Sequence, residues 1–507
     1  MRLAQLVSVA DAVAATSART AKRDAIAALL RGLHPDEVEA AVGMLVGDPR
    51  QGRLGVGWAT VQSIPPAGGS PGTTLDVLDL DRALDRLAAA SGTGSNRLRA
   101  EVLADLVGRA TPAEDAFVRR LLVGELRQGA QEGVMVDAVA AAAEVPATVV
   151  RRALMLTGDI RRTAAVALSG GRPGLEAIGL TLFQPVHPML ASTAEAVGDA
   201  LVPGVPISVE WKLDGARIQV HRDGDRVQVF TRNLNDITDR LPEVVEVVRT
   251  LPATQLVLDG EVLGLAGDRP EAFQETMSRF GRDDPATHGL RLRPFFFDVL
   301  RLDADDLIDE PLARRLEALD AAAPGFVVPR LLTADPVEAG AFVDATVAAG
   351  HEGVMLKDLG STYGAGRRGK AWRKLKPVLT FDLVVLAAEW GHGRRRGWLS
   401  NLHLGARDPA GGGFVMVGKT FKGLTDELLT WQTGALLERQ RADEVGSEGP
   451  VVHVRPELVV EVAIDGVQAS TRYPGGVALR FARVKRYRPD KTSATADTID
   501  APRALRR

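Results

Sequence analysis

From the first residue to about 190, apolar and polar positions alternate at helical spacing. "RDAIAALLRGL", "LDRALDRLAAA", "NRLRAEVLADLVGRA" and "EDAFVRRLLVGELRQG" each set apolar residues at i, i+3, i+4 and i+7, so each predicts an amphipathic helix. Clusters of Gly, Pro and Ser at "IPPAGGSPGTT" (64 to 74), "SGTGSN" (91 to 96) and "GGRPG" predict breaks. Residues 1–186 therefore read as an all-α domain, which runs out at "FQPVHPML".

From about residue 205 the period is two. "ARIQVHRDGDRVQVFTRN" alternates on both sides of Asp223-Gly224, a dipeptide favoured in tight turns, and predicts a β-hairpin. Mixed strand and helix signals continue to Pro377, so residues 187–377 read as an α+β domain. Beyond it, "FDLVVLAAEWG", "GWLSNLHLGAR", "GGFVMVGKTF", "PELVVEVAIDGV" and "ALRFARVKRY" are short strands at barrel-like spacing, with the helix "TDELLTWQTGALLERQ" inserted among them. Residues 378–507 thus predict a five-stranded β-barrel of the OB-fold type. A multidomain chain also suits 507 residues, which exceed what one core can hold.

Bulk composition, at 45% hydrophobic and 25% charged, is that of a globular protein. No apolar run approaches a membrane span, and "MRLAQLVSVADAVAATSART" carries Asp11 inside its apolar part, which fits a first helix better than a signal peptide. A cytoplasmic location is the default. The absence of cysteine rules out disulfides and thiolate metal sites. A net charge of -3 gives no support to a nucleic-acid partner, but local charge does: residues 364–397 hold nine Lys or Arg against two acids, and residues 480–507 nine against three.

Arginine supplies most of the positive charge. Lys22 is the only lysine before Lys212, and the next is Lys357. A guanidinium never gives up its proton in a protein, so a retained lysine is a candidate nucleophile. In "VEWKLDGARIQV" (209 to 220), Lys212 stands close to an acid and a glycine. An amine attacks phosphorus only when neutral, and at a pKa near 10.4 roughly one lysine in 2500 is neutral at pH 7. Bringing that pKa to about 7 needs roughly 4 to 5 kcal/mol, which burial and neighbouring cations supply. Lys374 and Lys376 in "WRKLK", two apart on a strand and so on one face, would provide such a field.

Downstream of Lys212 come, in order, "TRN" (231 to 233), "VLDGEVLG" (257 to 264), "PFFFDVLRL" (294 to 302), "HEGVMLKD" (351 to 358), "AWRKLKP" (371 to 377) and "RFARVKRYRPDK" (480 to 491). As an ordered set these resemble the nucleotidyltransferase motifs of ATP-dependent DNA ligases. The resemblance covers about residues 185 to 491. Through "ELRQG" (125 to 129) and "FQPVHPMLA" (183 to 191), the helical third is similar to the DNA-binding domain of cellular ligases of this type.

The resemblance implies a role for each position. Lys212 would carry AMP, with Lys374 and Lys376 on the α-phosphate and Asp214 serving orientation, metal contact or contact with the nick. Phe297 would stack on adenine, with "GVML" (353 to 356) over the other ring face, Phe295 on the same strand face and Phe296 in the core. Glu210 would read the adenine amino group. Glu261 and Glu352 match ribose- and metal-binding acids, whose hard oxygens suit Mg²⁺, with Mn²⁺ as the open alternative. Arg217 and Arg232 match positions holding the ribose or the nick 5′-phosphate.

Arg480, Arg483, Arg488, Asp490 and Lys491 resemble the element that clamps the β- and γ-phosphates of ATP. NAD-dependent ligases dispense with that element and usually carry a four-cysteine zinc module, so ATP is the expected nucleotide. Arg127 and Gly129 resemble positions that grip the duplex backbone, while Arg394 to Arg396, Lys419 and Lys422 would place cations along the same DNA.

What is implied is an enzyme that makes a lysyl adenylate, transfers AMP to the 5′-phosphate of nicked duplex DNA, and seals the strand. A swivel near Lys376 to Thr380 would serve the successive steps. Rival readings are an RNA ligase or a GTP-using capping enzyme, disfavoured by the helical domain, and a non-catalytic DNA-binding scaffold, disfavoured by Lys212, Glu261, Glu352, Lys374 and Lys376. A monomer is the default, and no protein partner is named.

Overall fold

The structure is a computed structural model describing residues 1–67, 75–126, 132–266, 269–270, 291–364, 368–376, 379–441 and 449–505. It separates into two compact units, Met1–Leu375 and Lys376–Arg507.

The first unit opens with helices from Leu3–Ala15 to Ile160–Glu176. Their apolar faces merge in one core running from Leu3 and Leu6 to Ala167 and Leu175. Local signals place the ends. Helix Pro112–Leu122 starts with proline at its first position, and Thr111 and Glu114 cap each other reciprocally at 3.3 and 2.8 Å. The break expected at "GGRPG" is instead a kink inside Ile160–Glu176. Gly171 takes φ 55°, ψ -149°, and the helix then resumes through Pro173.

Two sheets follow in the same unit. One has strand order β4-β3-β5-β7-β8: β3 (Ala216–Asp223), β4 (Arg226–Thr231), β5 (Gln255–Ala266), β7 (Arg291–Leu302) and β8 (Asp305–Asp306), with the two-residue β6 (Arg269–Pro270) on β5. Pairing of Asp223 with Arg226 centres the expected hairpin on Gly224-Asp225, one residue later than Asp223-Gly224, and Gly224 supplies the positive φ of 59°. The helices Pro242–Thr250 and Leu312–Ala322 bury this sheet's apolar face. The other sheet has the order β1-β11-β10-β2-β9: β1 (Leu190–Ala194), β2 (Ile207–Trp211), β9 (Arg330–Thr333), β10 (Val354–Asp358) and β11 (Arg368–Leu375). Only β1 and β11 are parallel there.

The second unit holds the antiparallel order β14-β13-β12-β16-β19: β12 (Leu379–Trp390), β13 (Leu399–Arg407), β14 (Phe414–Thr420), β16 (Val459–Ile464) and β19 (Arg483–Tyr487), with β15 (Val451–His453) on β12. A separate ribbon pairs β17 (Gly466–Ala469) with β18 (Val477–Arg480), and helix Asp426–Leu437 lies between β14 and β15 in the chain, as expected. "ALRFARVKRY" is two strands, not one. Phe481, at φ 53°, breaks the run and leaves its ring 58% exposed. Among the described residues no helix is long and apolar enough to cross a membrane.

Candidate active site

Strand β2 belongs to one sheet of the first unit and β3 to the other, so Lys212-Leu213-Asp214-Gly215 is the crossing between them. The crossing is pinned on both sides. The Lys212 N–H donates to the Gly353 carbonyl at 2.8 Å, and the Glu352 N–H donates to the Lys212 carbonyl at 3.2 Å. At the other end, Gly215 N–H donates to Glu261 Oε1 at 2.9 Å. A Cβ on Gly215 would meet the Val262 carbonyl at 2.3 Å, so only glycine lets β3 and β5 approach this closely.

The amine of Lys212 is mostly buried and bonded to Glu352. Burial raises the pKa of Glu261, while Lys212, the Gly215 N–H and Arg217 pull it down. Lys212 therefore lies in the field of two acids, Glu261 on β5 and Glu352 just before β10.

Directly opposed residues of an antiparallel pair share a face, so register sorts the remaining side chains. Glu210, Met355 and Lys374 line up across β2, β10 and β11. Two residues along lies the row Ser208, Lys357 and Trp372, on the same face. Lys374 thus falls on the Glu210 side of the sheet with Met355. Lys376 does not share that strand, because β11 ends at Leu375 and Lys376 is the first residue of the second unit.

Phe297 on β7 is half-buried, while Phe296 is fully buried, as the alternation requires. Phe297 meets Trp372 edge to face at 5.9 Å. Lys357 Nζ lies 4.7 Å from the Phe297 ring centre and 4.1 Å from that of Trp372, and donates to the Phe297 carbonyl at 3.1 Å. Its counter-ion is Glu210 at 2.6 Å, and both side chains are 1% exposed. The other Glu210 oxygen accepts from Ser208 Oγ at 2.9 Å. Both oxygens of the residue expected to read adenine are therefore already engaged.

Arg217 is also engaged. It grips Asp259 through Nε at 3.0 Å and Nη2 at 2.6 Å, and donates to the Met189 carbonyl at 2.8 Å. Burial works against its charge, but Asp259 outweighs burial and holds the pKa up. Tyr363 donates to the same Asp259 at 2.6 Å, and burial with that carboxylate raises its pKa well above the usual phenol. Arg232 is exposed after β4 and lines a separate cavity of about 210 Å³ with Arg151 and His187. Arg127 and Gly129 lie outside the described residues.

In the second unit, Arg480 ends β18, and Arg483 pairs with Asp465 at 3.4 Å. Arg488 forks onto Asp490 at 2.9 and 2.7 Å and reaches Asp382, which also takes Lys491. Lys419 is bound to Glu389, alongside His403 at 2.9 Å and Asn401 at 2.6 Å, so this expected DNA cation is neutralised within its own sheet. Although burial pushes Glu389 up, these three hydrogen bonds hold its pKa down to about 2. Lys422 extends over the exposed Phe481 ring at 5.0 Å.

The residues that received no role from sequence, Lys357, Trp372, Asp259 and Tyr363, form the wall behind Phe297 and Arg217. Lys357 had a usable signal, being the next lysine after Lys212 and two positions from Met355.

Comparison with known proteins identifies the family. Residues 188–376 match the family described as "ATP dependent DNA ligase domain", residues 395–491 its C-terminal region and residues 59–140 the DNA ligase N terminus. The chain is 57% identical to a "Probable DNA ligase" of Pseudarthrobacter chlorophenolicus over the whole of both chains. It is 55% identical to another of that name from Saccharopolyspora erythraea, covering 99% of this chain and 98% of that one. The solved structure "Pmar-Lig_PreS3" shares the fold at TM-score 0.59 and 18% identity, covering 95% of this chain and 99% of its own. At that level of full-length identity, the chain belongs to the ATP-dependent DNA ligase family.

Proposed function

We propose that this enzyme seals nicks in duplex DNA in the cytoplasm through an AMP carried on Lys212, in a chain divided into residues 1–186 for DNA binding, 187–377 for adenylation and 378–507 as an OB-type domain. The observation that carries the assignment is the placement of Lys212 in the crossing between two sheets, its amine on Glu352 and within the field of Glu261.

The chemistry is three phosphoryl transfers. Lys212 parts from Glu352, loses its proton to solvent and attacks the α-phosphorus of ATP. A phosphorus–nitrogen bond forms, the nitrogen gives a second proton to solvent, the bond from the α-phosphorus to the bridging oxygen breaks, and pyrophosphate leaves. An oxygen of the nick 5′-phosphate then attacks the AMP phosphorus, the phosphorus–nitrogen bond breaks, and the Lys212 nitrogen takes a proton from solvent as it leaves as the amine. Finally the 3′-hydroxyl attacks that 5′-phosphorus, its proton is lost, AMP departs, and the strand is closed.

Phe297 supplies the ring for adenine, backed by Trp372, and Met355 and Lys374 face the same space from the neighbouring sheet. Among the described residues no group of three or more His, Cys, Asp or Glu forms a metal cage. Glu261 and Glu352 nevertheless suit Mg²⁺, which commonly takes one or two carboxylates and fills its shell with water and phosphate oxygens. Bound there, it would neutralise charge on the transferring group. Arg488 and Lys491 are assigned to the β- and γ-phosphates, and Arg232 to the nick phosphate.

Incubation with α-labelled ATP followed by peptide mass spectrometry tests the reading. An AMP adduct on Lys212, absent in Lys212→Ala while that variant still binds nicked DNA, is the expected result. Labelling from GTP in preference to ATP, or an adduct on another residue, would overturn it.

A further inference from the structure

Asp382 and Glu461 stand directly opposite each other on β12 and β16. Two like charges in that register repel, and a fold that keeps them needs a cation between them. Arg488 is that cation. Its Nη1 lies 3.1 Å from Asp382 Oδ2 and 3.6 Å from Glu461 Oε2. Glu461 is further balanced by Arg486 at 2.8 Å, and Lys491 binds Asp382 as well.

The main chain at Asp382 is pinned on both sides, and its side chain is largely buried. Its side chain is 11% exposed, its N–H donates to Asp497 Oδ2 at 2.8 Å, and its carbonyl accepts from the Asp497 N–H at 2.9 Å. The two cations it holds belong to one turn, in which Lys491 N–H donates to the Arg488 carbonyl at 3.0 Å. Anchoring both on one oxygen pair fixes the spacing of their heads. Arg488 spends Nε and one N–H of Nη2 on Asp490 and gives Nη1 to both oxygens of Asp382, at 3.2 and 3.1 Å. Nη2, which makes one bond, and the ammonium of Lys491 keep donors for another anion.

We propose that Asp382 is a positioning residue for ATP-dependent adenylation: it presents Arg488 and Lys491 as a preset pair of phosphate donors. The inference rests on the assignment of those two residues to the ATP phosphates. Preset donors save the ordering that a loose arginine and lysine would undergo on binding, and the benefit appears only in the step that uses triphosphate.

The test separates that step from sealing in the full-length enzyme. Asp382→Asn should lower kcat/KM for ATP in lysyl-AMP formation about tenfold, mainly through KM, while sealing of pre-adenylated nicked DNA stays within about twofold. Asp382→Glu should recover part of the loss. Normal adenylation by Asp382→Asn, or equal loss in both steps, would overturn the proposal. Arg488→Ala and Lys491→Ala run alongside. If they adenylate like the wild type, the phosphate assignment itself fails; if they are impaired while Asp382→Asn is not, only the positioning role of Asp382 fails.

Discussion

Trp211 and His351 stack at 4.1 Å between ring centres, and the residue after each, Lys212 and Glu352, completes the contact with an ion pair. Two chain segments far apart in sequence are thereby locked in register at the proposed reaction centre. An acid in direct contact with the nucleophile and suited to a metal acts on charge rather than shape. Glu352→Gln, which keeps shape and loses charge, should slow lysyl-AMP formation on the order of a hundredfold while nick binding is unchanged. Rapid-quench measurement of the adduct checks this, and a wild-type rate would remove Glu352 from the chemistry.

The Glu210–Lys357 pair is fully buried beneath Phe297, where an uncompensated charge is far more harmful than a missing pair. Lys357→Met alone should destabilise the first unit by about 3 to 5 kcal/mol in urea unfolding. Adding Glu210→Gln should restore a large part, since the buried charge goes with it. A double variant as unstable as the single would show that Lys357 contributes by packing against the two rings, not by its charge.

Much of this wall was legible from period two. Alternation in "FFFD" separates Phe296 from Phe297, and the same alternation carried from Met355 to Lys357 puts the lysine on the nucleotide side. What periodicity cannot give is partner choice. That Glu210 meets Lys357, or Arg217 meets Asp259, depends on which strands become neighbours, and β2, β10 and β11 are joined across more than a hundred residues of chain. Backbone exceptions hide for another reason. Phe481 at φ 53° interrupts a run whose polarity pattern is unbroken, whereas the Gly and Pro of "GGRPG" do announce a disturbance, which the helix absorbs as a kink at Gly171 instead of ending there. Because β11 ends at Leu375, the pairing register assigns a face to Lys374 but not to Lys376.

Gly215 offers a steric prediction. Its missing Cβ makes room for the Val262 carbonyl, and its N–H orients Glu261. Gly215→Ala must push β3 from β5 at the crossing, so a loss of about 2 to 3 kcal/mol in stability is expected, together with loss of adduct formation. Urea unfolding and adduct mass spectrometry measure the two effects. An alanine variant that keeps both would mean the crossing is far more pliable than its contacts indicate.

His221 predicts a pH dependence of stability. It is completely buried on β3, among Phe183, Phe230 and Gln219. Its Nδ1 accepts from the Phe183 N–H at 2.9 Å, so the ring proton lies on Nε2 and is donated to Gln219 Oε1 at 2.9 Å. A second proton would have no acceptor, and burial alone lowers the pKa to about 3 from 6.5. The unfolded chain binds that proton below about pH 6.5 while the folded one does not. Stability is therefore fully present above about 6.5 and falls by about 1.4 kcal/mol per unit as pH drops toward 3. Between about pH 6.5 and 5 most carboxylates remain ionised, but burial also lowers the pKa of His403, so the wild-type slope contains more than one histidine. Comparison with His221→Gln isolates the one-proton share: the difference in urea-unfolding free energy between the two proteins should shrink by about 2 kcal/mol from pH 6.5 to 5. A difference that does not change with pH would mean that His221 is protonated in the folded state and that Gln219 and Phe183 rearrange around it.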